Sequence, residues 1–290
     1  MVTLPADALA PFPRFSLYNS PYVSHDEGCA IDLYPGGEAA DADGGSRAKA
    51  APSPVAGEVV ATRTVDAPSK PYAVERDHLI VVDTGDHLAR VLHVDPEVAP
   101  GDEVRVGDSL GELVRSGFFA PWVGNHVHLG FRERDADPLR ASGSLPVDVA
   151  VDVDPVTWDG TGRVVSRGET YVVLDAPGHP APGERFAGIA GTPGGADATN
   201  GGRGVLDGGL PHYEGGGLLP SGDGPVSLAG RRVGTANGRT VAWDDVEVRT
   251  NGTAITGVSL FVSREAFGAK LVCPDHEFAP GERVEVTVHR

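Results

Sequence analysis

The sequence predicts an all-β chain of two successive β-rich domains, and three observations carry that prediction. Glycine (40 residues) and proline (24) together exceed a fifth of the 290 positions, a composition that interrupts long helices and suits short strands joined by turns. Short valine-rich runs recur at close spacing along both halves of the chain. Between two of them lies Thr84-Gly85-Asp86, a tight-turn signal that makes the pair a hairpin.

Taken in order, residues 1–24 are proline-rich and irregular, and read as a strap on the first domain. Residues 36–54 are a loop by composition. Strands are expected at Val55–Thr62, His78–Asp83, His87–Val94, Glu103–Val106, Ser109–Val114 and His126–Arg132, with turns at Pro100-Gly101-Asp102 and Val106-Gly107-Asp108. Such a meander implies a barrel or sandwich over residues 1–140. Residues 141–160 read as a linker with an extended Val/Asp alternation. A second β-rich domain follows over 161–290, with strands at Arg163–Ser166, Thr170–Asp175, Val226–Val233, Thr240–Arg249, Gly257–Ser263, Ala269–Cys273 and Arg283–Val288. A glycine-rich stretch, about 188–225, reads as an insert, either disordered or a long loop packed on the sheet.

Charge narrows the function. There are 41 acidic and 24 basic residues, a formal net charge of −17, and the only lysines are Lys49, Lys70 and Lys270. Nucleic-acid binding needs clustered Lys and Arg, so that class is excluded. An acidic, lysine-poor, Asp- and Val-rich surface is what cytosolic proteins of salt-loving archaea look like. No apolar run is long enough to span a membrane, and no charged and apolar leader opens the chain. The expectation is a cytoplasmic protein with no membrane partner. Two cysteines, Cys29 and Cys273, make no disulfide framework, and Cys29 reads as a small buried hydrophobe.

Six of the ten histidines fall within residues 1–132. The sharpest pattern is Asn125-His126-Val127-His128-Leu129. In a strand, residues i and i+2 point to one face, so both imidazoles project together, a natural donor pair for Zn2+. Upstream stand His25 and Asp32, a Gly57-Glu58-Val59-Val60 strand and a hairpin ending Val91-Leu92-His93-Val94. Then comes Val98-Ala99-Pro100-Gly101-Asp102-Glu103-Val104-Arg105-Val106-Gly107-Asp108-Ser109-Leu110-Gly111. His78 and His87 flank the hairpin and are expected to face solvent. His179, His212, His276 and His289 show no spacing pattern and read as structural or exposed.

In that order these elements resemble the lysostaphin/LytM-type zinc metallopeptidases, over about residues 20–135. The resemblance implies a lysostaphin/LytM-like β-barrel that hydrolyses a peptide or amide bond. His25, Asp32 and His128 would hold Zn2+, leaving a fourth position open, and a water there would have its pKa lowered to about 7. His93 and His126 would flank that water, one orienting or deprotonating it and the other stabilising the oxyanion. Phe118–Val123 (FFAPWV) would wall the groove or simply pack as a loop. The family's usual substrates are peptide cross-links of bacterial walls; without an export signal, another peptide or isopeptide is expected.

Two departures stand out. The family spaces its first His and Asp four residues apart, whereas His25 and Asp32 are seven apart. An odd offset sends extended side chains to opposite faces, so the chain must turn, and Asp26-Glu27-Gly28 is the expected place. Arg90-Val91-Leu92-His93 also lacks the aromatic residue the family often has. The alternative to a hydrolase is a non-catalytic barrel that binds a partner or a metal. A lipoyl-type carrier is disfavoured, because Lys49 precedes the Gly-Asp segment instead of following it.

Overall fold

A computed structural model describes residues 1–22, 25, 27–36, 49–140, 142–193 and 203–290. These residues are almost entirely strand and turn, with a 3-10 turn at Ala6–Leu9. No helix among them is long and apolar enough to cross a membrane. The chain divides into two compact units, Met1–Phe15 with Cys29–Val151, and Ser16–Gly28 with Asp152–Arg290.

The first unit is built on a main sheet. Its strands include β1 (Ala30–Tyr34), β2 (Gly57–Asp66), β3 (Arg76–Asp83), β4 (His87–Leu92), β5 (Glu103–Val104) and β6 (Val127–Glu133), in the spatial order β1–β6–β4–β3–β2–β5. Every neighbouring pair is antiparallel. A second, three-stranded sheet joins Ala50–Pro52, Ser109–Leu113 and Val94–Pro96. The expected hairpin is β3–β4, closed where the Thr84 N–H donates to the His87 carbonyl at 3.0 Å. Leu79, Val81 and Leu88 pack as one buried cluster.

Strand β1 was not among the predicted strands. Its sequence, AIDLY, is buried at all five positions, so it lacks the alternation that marks a half-exposed strand. Val147–Val149 and Val153–Val156 are short strands inside the stretch read as a linker. Val147 is buried, and the other positions of both strands are half-buried.

The second unit has its own core, in which Val164, Leu174, Leu206, Val226, Val248, Leu260, Leu271 and Val286 are all buried. The glycine-rich stretch differs from expectation. Its described residues form strands at Phe186–Pro193, Gly204–Leu210, Gly215–Leu219 and Gly224–Leu228. Aromatic rings lie directly on the backbone there. A Cβ on Gly216 would stand 2.1 Å from the Trp243 ring, and one on Gly217 would stand 2.2 Å from Tyr18. The run predicted as Val226–Val233 is two strands, because Ala229 and Gly230 both take left-handed backbone angles and reverse the chain. Thr240–Arg249 likewise splits into Thr240–Trp243 and Glu247–Thr250.

Candidate metal centre

Sheet register does most of the work of assembly in the first unit. Asp32 on β1 stands directly opposite His128 on β6, and His128 is paired on its other side with Leu92, the last residue of β4. His93 therefore leaves its strand beside His128, and it does so in a left-handed conformation, φ 69°. That turn ends β4 and lets Val94–Pro96 join the other sheet. His126 immediately precedes β6, two residues from His128, and the expected shared face is observed. Asp32 Oδ1 lies 2.9 Å from His128 Nδ1 and 3.4 Å from His126 Nε2.

The tautomer of His126 follows from its partner. Its Nδ1 is 2.9 Å from the Gly124 carbonyl, which can only accept, so Nδ1 carries the proton and Nε2 the lone pair. Burial is the largest influence on this imidazole and drives its pKa down to about 3; His93 and His128 act in the same direction, against Asp32 and the Gly124 carbonyl. The ring is neutral at physiological pH. A lone pair thus faces a carboxylate oxygen across 3.4 Å with no proton of its own to share. A proton or a cation between two such acceptors would relieve that opposition.

His25 belongs to the segment Ser16–Gly28. Its Nδ1 lies 2.9 Å from the Leu17 carbonyl, which fixes the proton there and leaves Nε2 as the donor atom. Of the expected turn, Asp26 lies outside the described residues. Gly28 takes φ +64°, and its N–H donates to the His25 carbonyl at 3.1 Å. His25, Asp32 and His128 each offer one ligand atom, and these atoms lie within 4.8 Å of one another, so the cluster could hold a metal ion. Cys29 is buried, as read from the sequence.

The segment carrying His25 is held at its start by Asp207. This fully buried carboxylate accepts from Ser16 Oγ at 2.5 Å and from the N–H groups of Leu17 and Tyr18 at 2.6 and 3.2 Å. Asn19 Nδ2 donates to Ser259 Oγ at 2.7 Å.

Phe119 packs on the histidines. Its ring centroid is 4.6 Å from that of His126 and 5.2 Å from that of His93. Tyr34 lies 5.1 Å from His126 on β1. Tyr34, Phe119 and Val123 form one buried apolar cluster, with Ala120 and Trp122 against it. The FFAPWV loop therefore packs against the histidines and Tyr34. Arg115 secures it by donating to the carbonyls of Ala120, Pro121 and Val123.

Sequence reading missed Asp77. This buried carboxylate accepts from His93 Nδ1 at 2.5 Å, the His93 N–H at 3.1 Å, Ser116 Oγ at 2.6 Å and the His78 N–H at 2.7 Å. Burial pushes its pKa up, but the His93 ring and these hydrogen bonds outweigh it and hold the group at about 2. An Asp beside a His at the head of a strand carries no signal for such a role. His78 and His87, expected at the surface, are half-buried; His78 Nε2 lies 3.6 Å from Asp95, and the His87 ring meets Phe131 edge-on. His212 is half-buried, with burial lowering its pKa to about 4, while His276 and His289 are exposed.

Fold and site define an all-β chain of two units with a histidine–aspartate cluster on its first sheet. The chain belongs to the family described as Domain of unknown function (DUF8155): the N-terminal domain of that family matches residues 3–149 and its C-terminal domain residues 154–289. No curated protein matches it. Among solved structures it is similar to the NMR solution structure of lysostaphin, at 13% identity over 90% of this chain and 91% of that one, with a TM-score of 0.29.

Proposed function

We propose that the protein is a zinc-dependent hydrolase of a peptide or amide bond, with His25, Asp32 and His128 as metal ligands and His93 and His126 acting on the reacting groups. The observation that supports it most is the convergence of three ligand atoms within 4.8 Å, one of them from a residue 96 positions beyond Asp32. Two neutral imidazoles and one carboxylate match a catalytic zinc set with an open position. A bound zinc supplies Lewis acidity toward water and carbonyl. The chain's own residues do the rest. His126, neutral and with its Nδ1 proton held by the Gly124 carbonyl, turns its Nε2 lone pair toward Asp32 at the site. His93, its Nδ1 proton held by Asp77, keeps Nε2 for the reacting groups. Phe119 and Tyr34 exclude water around His126.

The test is elemental analysis of the chain purified and reconstituted with zinc in high salt, the condition its acidic composition favours. About one zinc per chain is expected, lost or strongly weakened in Asp32→Ala and His128→Ala. His93→Ala and His126→Ala should retain zinc while hydrolysis of a peptide library falls on the order of a hundredfold or more. A wild-type chain without zinc ends the hydrolase reading, and loss of zinc on substituting His93 or His126 overturns the division of roles.

A second reading has one observation in its favour. His25 (1%), Asp32 (2%), His126 (2%) and His93 (6%) are almost wholly removed from solvent, which leaves a substrate little approach except at His128. A structural metal in a binding module would have this burial. It predicts bound zinc and no hydrolysis of any peptide tested.

A further inference from the structure

We propose that Asp77, braced by Ser116, is a positioning residue that fixes both the tautomer and the backbone placement of His93. The inference deepens the hydrolase reading and rests on it for the role of His93, though not for the geometry. Four donors converge on one buried carboxylate, and two of them belong to His93, ring Nδ1 at 2.5 Å and backbone N–H at 3.1 Å. The two oxygens divide the task. Oδ1 takes the backbone N–H groups of His78 and His93, while Oδ2 takes the His93 ring and the Ser116 hydroxyl.

The backbone half of this grip has a clear purpose. His93 sits at φ 69°, a left-handed conformation that is unfavourable for a residue bearing a side chain. Something must hold it there, and a charge-assisted hydrogen bond to its own N–H does so. The ring half sets the chemistry. An ionised carboxylate accepts only, so the proton on His93 must reside on Nδ1 and the lone pair on Nε2. The ring is then clamped between Asp77 and the edge-on Phe119, with His126 and His128 at centroid distances of 5.0 and 5.7 Å. Ser116 immediately follows Arg115, which secures the Phe119 loop, so carboxylate and clamp are linked through two adjacent residues.

The experiment is nitrogen-15 NMR of the histidine rings in the full-length chain at one mildly alkaline pH, with zinc content measured on the same samples. His93 is assigned by its loss in His93→Gln. Wild type should show His93 as the Nδ1–H tautomer with a strongly downfield ring proton. In Asp77→Asn that proton should move far upfield and the ring become a tautomer mixture, with Asp77→Glu recovering the wild-type pattern and zinc content unchanged throughout. An unaltered His93 signature in Asp77→Asn overturns the proposal. Should Asp77→Asn fail to fold, Ser116→Ala decides: an upfield shift of the same proton supports the proposal, and no shift overturns it. A wild-type chain that binds no zinc would defeat the hydrolase reading while leaving the His93 signature to report on Asp77.

Discussion

Asp77 in the first unit and Asp207 in the second have the same accessibility, none, and opposite electrostatics. Burial is the largest influence on both and pushes both upward. At Asp77 a histidine ring at 2.5 Å, Ser116 and backbone N–H groups reverse that push, and the group stays at about 2. At Asp207 the direct partners are a hydroxyl and two amides; these and the attraction of His25 offset burial only in part, and the group rises to about 6. The lesson is that depth alone does not set the state of a carboxyl group; the partners that meet it there decide how far burial is offset. One of these acids is an anion aimed at a histidine. The other, where it ties Ser16–Tyr18, becomes neutral as pH falls below about 6.

The largest expected effect comes from removing the anion. Asp77→Ala strands the His93 ring, Ser116 and two backbone donors in a dry interior, and should cost about 3–5 kcal/mol in urea unfolding. Asp207→Ala, which removes a near-neutral group, should cost less at pH 5; equal losses would break the comparison.

Next is pH. Asp77 lies below its ordinary value of 3.8, so its contribution is present above pH ~4 and is lost as pH falls through about 2, on the order of 2 kcal/mol. Asp207 lies above 3.8, so its contribution is complete below pH ~4 and is lost as pH rises through about 6, on the order of 3 kcal/mol. Unfolding measured from pH 3 to 8 with a chelator present should show the second slope in wild type and lose it in Asp207→Asn. A slope that survives in Asp207→Asn belongs to another group.

The smallest and sharpest test is a matched pair of hydroxyl deletions. Ser116→Ala removes a donor from an anion and should cost about 1.5–3 kcal/mol, whereas Ser16→Ala at pH 5 removes one from a near-neutral acid and should cost about 0.5–1.5 kcal/mol. Reversal of that order would mean that Asp207, not Asp77, carries the charge.

The same contrast shows what the sequence could convey. The His126–His128 pair was legible because strand alternation is a rule of period two, and Asp32 and His25 entered through their order along the chain. Strand β1 was not legible, since all five of its residues are buried and no alternation remains to be read. The glycine-rich strands were misread for a related reason. Gly216 and Gly217 answer to Trp243 and Tyr18, rings that lie far away in sequence. Asp77 and Asp207 were illegible because their partners are long-range: His93 is 16 residues from Asp77, and Ser16 is 191 from Asp207. Nothing local distinguishes either acid from a surface aspartate.

That last separation has a consequence in time. A ribosome adds roughly 5–20 residues per second, so about 10–40 s pass between the synthesis of Leu17 and that of Asp207. Throughout that interval the amides of Leu17 and Tyr18 lack the Asp207 carboxylate, and the segment bearing His25 is without that anchor. Strands β1 and β6, whose Asp32 and His128 are 96 residues apart, are both complete well before Asp207 emerges. The aspartate and the strand-borne histidines are therefore available for assembly first, and His25 is the last of the candidate ligands to be secured.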